Sequence, residues 1–189
     1  MKNIAQVLMV ASLVLSGCAH VSPNYTLSAE NVASMRTLSS SASRKISVGS
    51  FTSSEPGKHS ILCRAAGPIE APQGQPFDSF IRDALVGELK LAGLYQENAP
   101  TILEGKLTNI DFNSNIGAGK WTIQVAFSGN GVTPFNVESS YSFSTNFIAD
   151  IACEQVSQAL PVATKGFIKD VTLSPEFRKL FSGEVAQNK

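Results

Sequence analysis

Apolar and polar residues alternate most clearly between residues 102 and 147. Trp121, Ile123, Val125 and Phe127 fall on one side of an extended chain, and Thr122, Gln124, Ala126 and Ser128 on the other. Phe135, Val137, Tyr141, Phe143 and Phe147 then alternate with Asn136, Glu138, Ser140, Ser142, Ser144 and Asn146. A period of two sends successive side chains to opposite faces, so each run predicts a strand with one buried and one wet face. Ile102 to Phe112 predicts a strand ahead of them. Turn-forming runs at 113–119 and 130–134 join the three as an antiparallel meander. Two shorter apolar stretches, Ile46 to Phe51 and Ser60 to Ala65, predict earlier strands, after which Gly67-Pro68 and Ala71-Pro72-Gln73-Gly74 break the chain.

Two longer segments carry the period of a helix. Phe77, Phe80, Ile81, Ala84, Leu85 and Leu89 form one apolar stripe. Pro76 suits its first position, Asp78 complements the positive end, Gly93 stops it, and Leu94 is placed to pack back. From about Ala149 to Val171, the stripe Ala152, Val156, Ala159, Ala163, Phe167 and Val171 is mostly small, so this helix lies close to the sheet. Pro161 within it removes the hydrogen bond to the Ser157 carbonyl and predicts a kink. Ser174 and Pro175 read as cap and first position of a last short helix, docked by Phe177, Leu180 and Phe181. This order predicts one α+β domain over residues 45–182. It would be a two-layer sandwich: a four- to five-stranded mixed, mostly antiparallel sheet, two long helices on one face and a short C-terminal helix.

The ends read differently. Lys2, an apolar run from Ile4 to Leu15 and small residues after it make residues 1–17 a secretory signal peptide. The run is shorter than the roughly 20 residues a spanning helix needs. Residues 18–44 are small and polar with no sustained periodicity, and predict a flexible tether with a root-mean-square span of roughly 25–30 Å. The alternative is partial order, with Tyr25 or Val32 docking on the domain. Residues 183–189 read as a polar tail.

Charge and chemistry narrow the function. The chain is neutral overall, and removing the leader with Lys2 leaves 14 basic against 15 acidic residues. That balance gives no case for nucleic acid and no polybasic patch for anionic lipid. No catalytic motif occurs. His20 falls in the tether, and His59 reads as a solvated loop residue. Two histidines and two spaced cysteines do not make a zinc set, so no metal or cofactor is expected. Asp78, Asp83 and Glu88, spaced with Arg82 and Lys90, read as a solvated helix face. The polar row Asn136, Glu138, Ser140, Ser142, Ser144 and Asn146 is either a binding surface for a glycan, peptide strand or partner protein, or simply an open sheet face. Phe77, Trp121 and Phe143 are either core or the lining of a pocket for a lipid-like ligand.

Leu15-Ser16-Gly17-Cys18 resembles the lipobox of the bacterial lipoprotein family. The resemblance implies that Cys18 is acylated, becomes residue one of the mature chain and attaches it to a membrane through its acyl chains. In that family an Asp after the cysteine usually marks inner-membrane retention. Ala19 stands there instead, implying the periplasmic face of an outer membrane. From Ile46 to Phe181 the order of elements resembles the LptE-like and YajG-like periplasmic lipoproteins. Cys63-Arg64-Ala65-Ala66-Gly67-Pro68-Ile69 and Gly117-Ala118-Gly119-Lys120-Trp121 are similar to segments of uncharacterised bacterial lipoproteins. These likenesses imply a fold and an envelope setting, and carry over no catalytic residue. With Cys18 acylated, Cys63 and Cys153 are left in an oxidising compartment. They form a disulfide if their Cα atoms come within about 7 Å, and are otherwise two buried thiols. The expected function is that of a non-enzymatic accessory or assembly lipoprotein docking on an envelope protein. The alternative is a carrier or sensor of a small hydrophobic ligand. The sequence sets no oligomeric state.

Overall fold

The computed structural model describes residues 19–39 and 44–182. The expected signal peptide, Cys18 and the tail lie outside them. In chain order the described residues form β1 (His20–Val21), α1 (Ala29–Ser39), β2 (Ser47–Ser53), β3 (Ser60–Cys63), β4 (Gly67–Glu70), α2 (Phe77–Ala92), β5 (Ile102–Asn113), β6 (Gly119–Ser128), β7 (Phe135–Phe143), α3 (Ala149–Leu173) and α4 (Pro175–Lys179).

The alternating runs make a four-stranded sheet in the order β2-β5-β6-β7. β2 lies parallel to β5, and the other two pairings are antiparallel. Trp121, Ile123, Val125 and Phe127 of β6 are buried, as are Phe135 and Val137 of β7. On β5 the inward phase changes midway. Leu103 and Leu107 face the core, then Ile110 does, because a bulge between Leu107 and Asn109 inserts one residue. The helices α2 and α3 cover the apolar face, and the small side chains of α3 allow close contact. Its buried Thr164 and Thr172 hydroxyls donate to the carbonyls of Leu160 (3.0 Å) and Ile168 (2.8 Å), so no polar group there is left unpaired. At the end of α2, Gly93 adopts φ 79°, Leu94 N–H donates to Leu89 O at 2.9 Å, and Leu94 is buried: the ending that its Gly-Leu sequence predicts. Pro76 is the cap of α2 rather than its first residue.

Three expectations are corrected. First, β3 does not join the main sheet. It forms a hairpin with β4, and β1 adds in parallel to β4, giving a second sheet β1-β4-β3. Pro68 has no N–H and sits beside Gly67, which made β4 read as a break. Second, residues 18–44 are not a tether where they are described: β1 and α1 are folded against the domain. Val32, Met35 and Leu38 are buried on a narrow stripe of α1, spaced three apart among Ser, Thr and Ala. The helix α1 packs against both α2 and α3. Third, Phe147 is 76% exposed, and Ser144 and Asn146 lie beyond the end of β7. There the chain turns into α3, with the Asn146 side chain accepting from Ile148 N–H at 2.9 Å.

Cys63 of β3 and Cys153 of α3 are bonded, with Cα atoms 5.8 Å apart. The bond ties the small sheet to the first turns of α3 and closes a separation of 90 residues. Cys153→Ser should therefore destabilise the domain by about 2–5 kcal/mol in denaturant unfolding. Thiol labelling of denatured, unreduced wild type should find neither Cys63 nor Cys153 free. The helix α3 continues through Pro161. Restoring the missing N–H donor with Pro161→Ala should raise stability by about 1–3 kcal/mol. A loss of stability would show instead that the packing of α3 depends on the proline.

Candidate anchor and interaction surfaces

The polypeptide enters the domain at β1. His20 lies opposite Ile69 and Val21 opposite Glu70. The alternation buries His20 and exposes Val21. The His20 ring sits 3.3 Å through Nε2 from the Ala66 carbonyl. Its two nitrogens lie 3.6 Å from Asp150 Oδ1 and Glu154 Oε2 on the first turns of α3. The predicted free histidine of a tether is thus a packed residue under α3. His59 does stand in an exposed loop, its Nδ1 3.0 Å from Gly57 O.

Arg64 gathers this end of the molecule. It occupies the turn between β3 and β4 with φ 48°. Its guanidinium donates to Phe147 O (3.1 Å), Ser114 Oγ (3.1 Å) and Asn146 O (3.5 Å), and also to Ser114 O. Thr145 Oγ1 donates to Asn115 O, and Gly117 N–H to Thr145 O at 3.2 Å. One planar, five-donor cation thereby holds the β3–β4 turn, the β5–β6 turn and the approach to α3 together.

A second tie holds the N-terminal segment to α2. Glu88 is fully buried, against the expectation of a solvated face shared with Asp78, Asp83, Arg82 and Lys90. Its Oε1 accepts from Ser28 N–H at 3.0 Å and from the Tyr25 hydroxyl. Ser28 in turn caps α1, with Oγ accepting from Asn31 N–H at 3.3 Å. The helical spacing of the acidic residues gave no sign of a covering segment. The signal that could have found Glu88 is its neighbour Gly87, where a Cβ would stand 2.9 Å from Leu27 Cδ2. The Tyr25 hydroxyl is held well above its ordinary range, chiefly by burial, then by its hydrogen bond to Glu88 and the charge there. Arg82 does meet solvent beside Asp83, yet its Nε and Nη2 also donate to Gly49 O (2.8 Å) and Val48 O (3.2 Å), blunting the open edge of β2.

The face of the main sheet opposite the helices is uncovered. Asn136, Glu138, Ser140 and Ser142 stand exposed on β7, as the alternation predicts, while Ser144 and Asn146 do not continue the row. Register sets Asp111, Thr122 and Ser140 abreast, then Asn109, Gln124 and Glu138. Thr122 and Ser140 hydroxyls are 3.4 Å apart. A shallow cleft of about 240 Å³ lies at one end, lined by Asn109, Asp111, Phe112, Asn113, Lys120 and Thr122. The aromatic trio proposed as a ligand pocket is filled instead. Phe77 and Trp121 are fully buried with centroids 6.4 Å apart, and Trp121 Nε1 donates to Val156 O at 2.9 Å. The Phe143 ring covers Gly119, where a Cβ would meet it at 2.6 Å. Among the described residues no three His, Cys, Asp or Glu side chains gather as a metal site, and no helix is long and apolar enough to cross a membrane.

No family model matches the chain, and no curated protein does. Among solved structures it is similar to a Xanthomonas campestris protein of the DUF330 family, at 8% identity and TM-score 0.49, covering 82% of this chain and 95% of that one. A Caulobacter crescentus CB15 protein described as a candidate lipoprotein shares 13% identity at TM-score 0.38, covering 82% and 97%. An uncharacterized protein shares 11% at 0.43, covering 81% and 99%. At such identities, function has to be argued from this chain's own residues.

Burial of the Tyr25 hydroxyl, together with its hydrogen bond to Glu88, makes stability depend on pH in alkali. The folded-state value of Tyr25 lies above the unfolded value of about 10, so its stabilisation is complete below pH 10 and is lost as pH rises beyond. Unfolding free energy should fall more steeply above about pH 10 in wild type than in Tyr25→Phe. Equal slopes would contradict the contact.

Proposed function

We propose that the chain is a bacterial lipoprotein acylated at Cys18 and held at the periplasmic face of the outer membrane. Its domain serves as a non-enzymatic accessory module that docks on an envelope protein. The observation that carries this reading is the sequence Leu15-Ser16-Gly17-Cys18, which resembles a lipobox, joined to a folded domain whose first strand begins two residues after Cys18. The uncovered face of β5, β6 and β7 supports the docking role. Its hydroxyls and amides stand in rows roughly 4.8 Å apart across the sheet, with a few charges of both signs. Such a face offers a partner many hydrogen bonds and no electrostatic bias. The ligand-carrier alternative lacks this support, since the trio that suggested it fills the core.

Cell fractionation tests the anchor. Wild type should separate with the outer membrane, and its N-terminal peptide should carry the mass of acyl chains at Cys18. Cys18→Ser should accumulate as precursor or as soluble periplasmic protein; mature variant still in the outer membrane would refute acylation as the anchor. A photo-crosslinking residue at Ser140 tests the docking face in living cells. It should capture an envelope protein that the same residue at Leu173 does not. Identical adducts from both positions would remove the sheet face from the proposal.

A further inference from the structure

Large apolar side chains are exposed around the end of the molecule that Arg64 holds together. Leu62 is 72% exposed, Ile116 68% and Phe147 76%, and Ile148 and Ile151 are exposed beside them in sequence. Ile116 belongs to the β5–β6 turn, Phe147 and Ile148 to the approach to α3, and Leu62 precedes the β3–β4 turn by two residues. Arg64 bonds directly to the first two of these segments from the third. By contrast, Leu91, Val162 and Leu173 are spread along α2 and α3. Single exposed apolar residues are ordinary, whereas several at one end of a monomer mark a contact surface.

The direction of β1 says what that surface meets. β1 runs parallel to β4, and β4 starts directly after the Arg64 turn. The chain therefore enters β1 from the same end, with His20 touching the Ala66 carbonyl of that turn. Only Ala19 separates His20 from Cys18, and consecutive Cα atoms are about 3.8 Å apart. No slack is left to hold this end off a bilayer that takes up acyl chains on Cys18. Charges of both signs border this end: the Arg64 guanidinium donates to neutral oxygens, and Asp150 and Glu154, each 3.6 Å from His20, keep 80% and 56% of their side chains exposed.

We infer that the end of the domain formed by the Arg64 turn, the β5–β6 turn and the start of α3 lies against the lipid surface, with Leu62, Ile116, Phe147, Ile148 and Ile151 entering its interfacial region. The inference rests on acylation of Cys18. It adds that the domain sits flush on the bilayer in one orientation. β5, β6 and β7 meet this end at Asn113, Gly119 and Phe143, so their polar face stands upright from the membrane.

Full-length acylated protein carrying Phe147→Trp, reconstituted in vesicles of phosphatidylethanolamine and phosphatidylglycerol with lipids brominated high on the acyl chains, tests this. Interfacial side chains sit about 5–10 Å into the headgroup and acyl boundary, within reach of those bromines. The native Trp121 is fully buried and supplies a constant background. Phe147→Trp should lose several-fold more emission than Leu173→Trp, which lies at the far end of α3. Ile151→Trp gives an independent reading should Phe147→Trp misfold. Protein that floats with the vesicles yet shows no excess quenching at either position would overturn the flush orientation and leave acylation standing. Emission that shifts to the blue without quenching would mean contact with another protein copy, and would also overturn it. Protein that neither floats nor carries acyl mass would refute acylation, and the orientation with it.

Discussion

Glu88 has no exposed surface, and a buried carboxylate is costly unless donors reach it. The donors come from the Tyr25 hydroxyl and the Ser28 N–H, both N-terminal to the sandwich itself and both on Oε1, while Oε2 is buried without a hydrogen-bond partner among the described residues. The helix α2 can therefore bury its outer side only when the arriving segment is folded onto it. Two consecutive residues are matched to that segment: Gly87 leaves room for Leu27, and Glu88 accepts its hydrogen bonds. The same contact sets the start of α1, because Ser28 both donates to Glu88 and caps the helix. From there α1 reaches α3, with Asn31 Nδ2 donating to Lys165 O at 3.0 Å. The exposed pair Lys169–Glu30 at 3.1 Å adds little to that tie. A buried acid on α2 thus fixes the start of a segment whose Val32, Met35 and Leu38 pack into the core.

The main sheet and the two long helices were legible because each has one wet and one dry face. A period of two or of 3.6 records that asymmetry directly. What failed to read is what breaks the asymmetry. Glu88 looked solvated because its spacing from Lys90 and Arg82 is right for a surface, and periodicity cannot report a segment added from elsewhere in the chain. The helix α1 looked unstructured because Val32, Met35 and Leu38 are three large apolar residues among eleven. The strand β4 looked like a break because Pro68 lacks a donor. The bulge on β5 changed which residues face outward after Leu107, and so placed Asn109 and Asp111 on the open face. Ser144 and Asn146 kept the alternation of β7 but lay past its end. There the chain needed a turn into α3 more than another pair of ladder bonds.

The end where the chain enters shows how short elements are made to hold. β1 has two residues, and two residues of pairing hold little by themselves. Any load on β1 is shared in two directions. Along the chain it meets Tyr25 and Ser28 on Glu88, so separating β1 further means exposing that carboxylate's neighbours. Across the small sheet it passes from β1 to β4 and then to β3, whose last residue, Cys63, is bonded covalently to α3. Arg64, the next residue, carries the same load to the β5–β6 turn and the approach to α3. Hydrogen bonds and a disulfide at adjacent positions thus connect a two-residue strand to the longest helix and to a turn of the main sheet. A flexible tether would have made those ties unnecessary. Their concentration at the point where the chain enters is what the proposed orientation on a membrane would require.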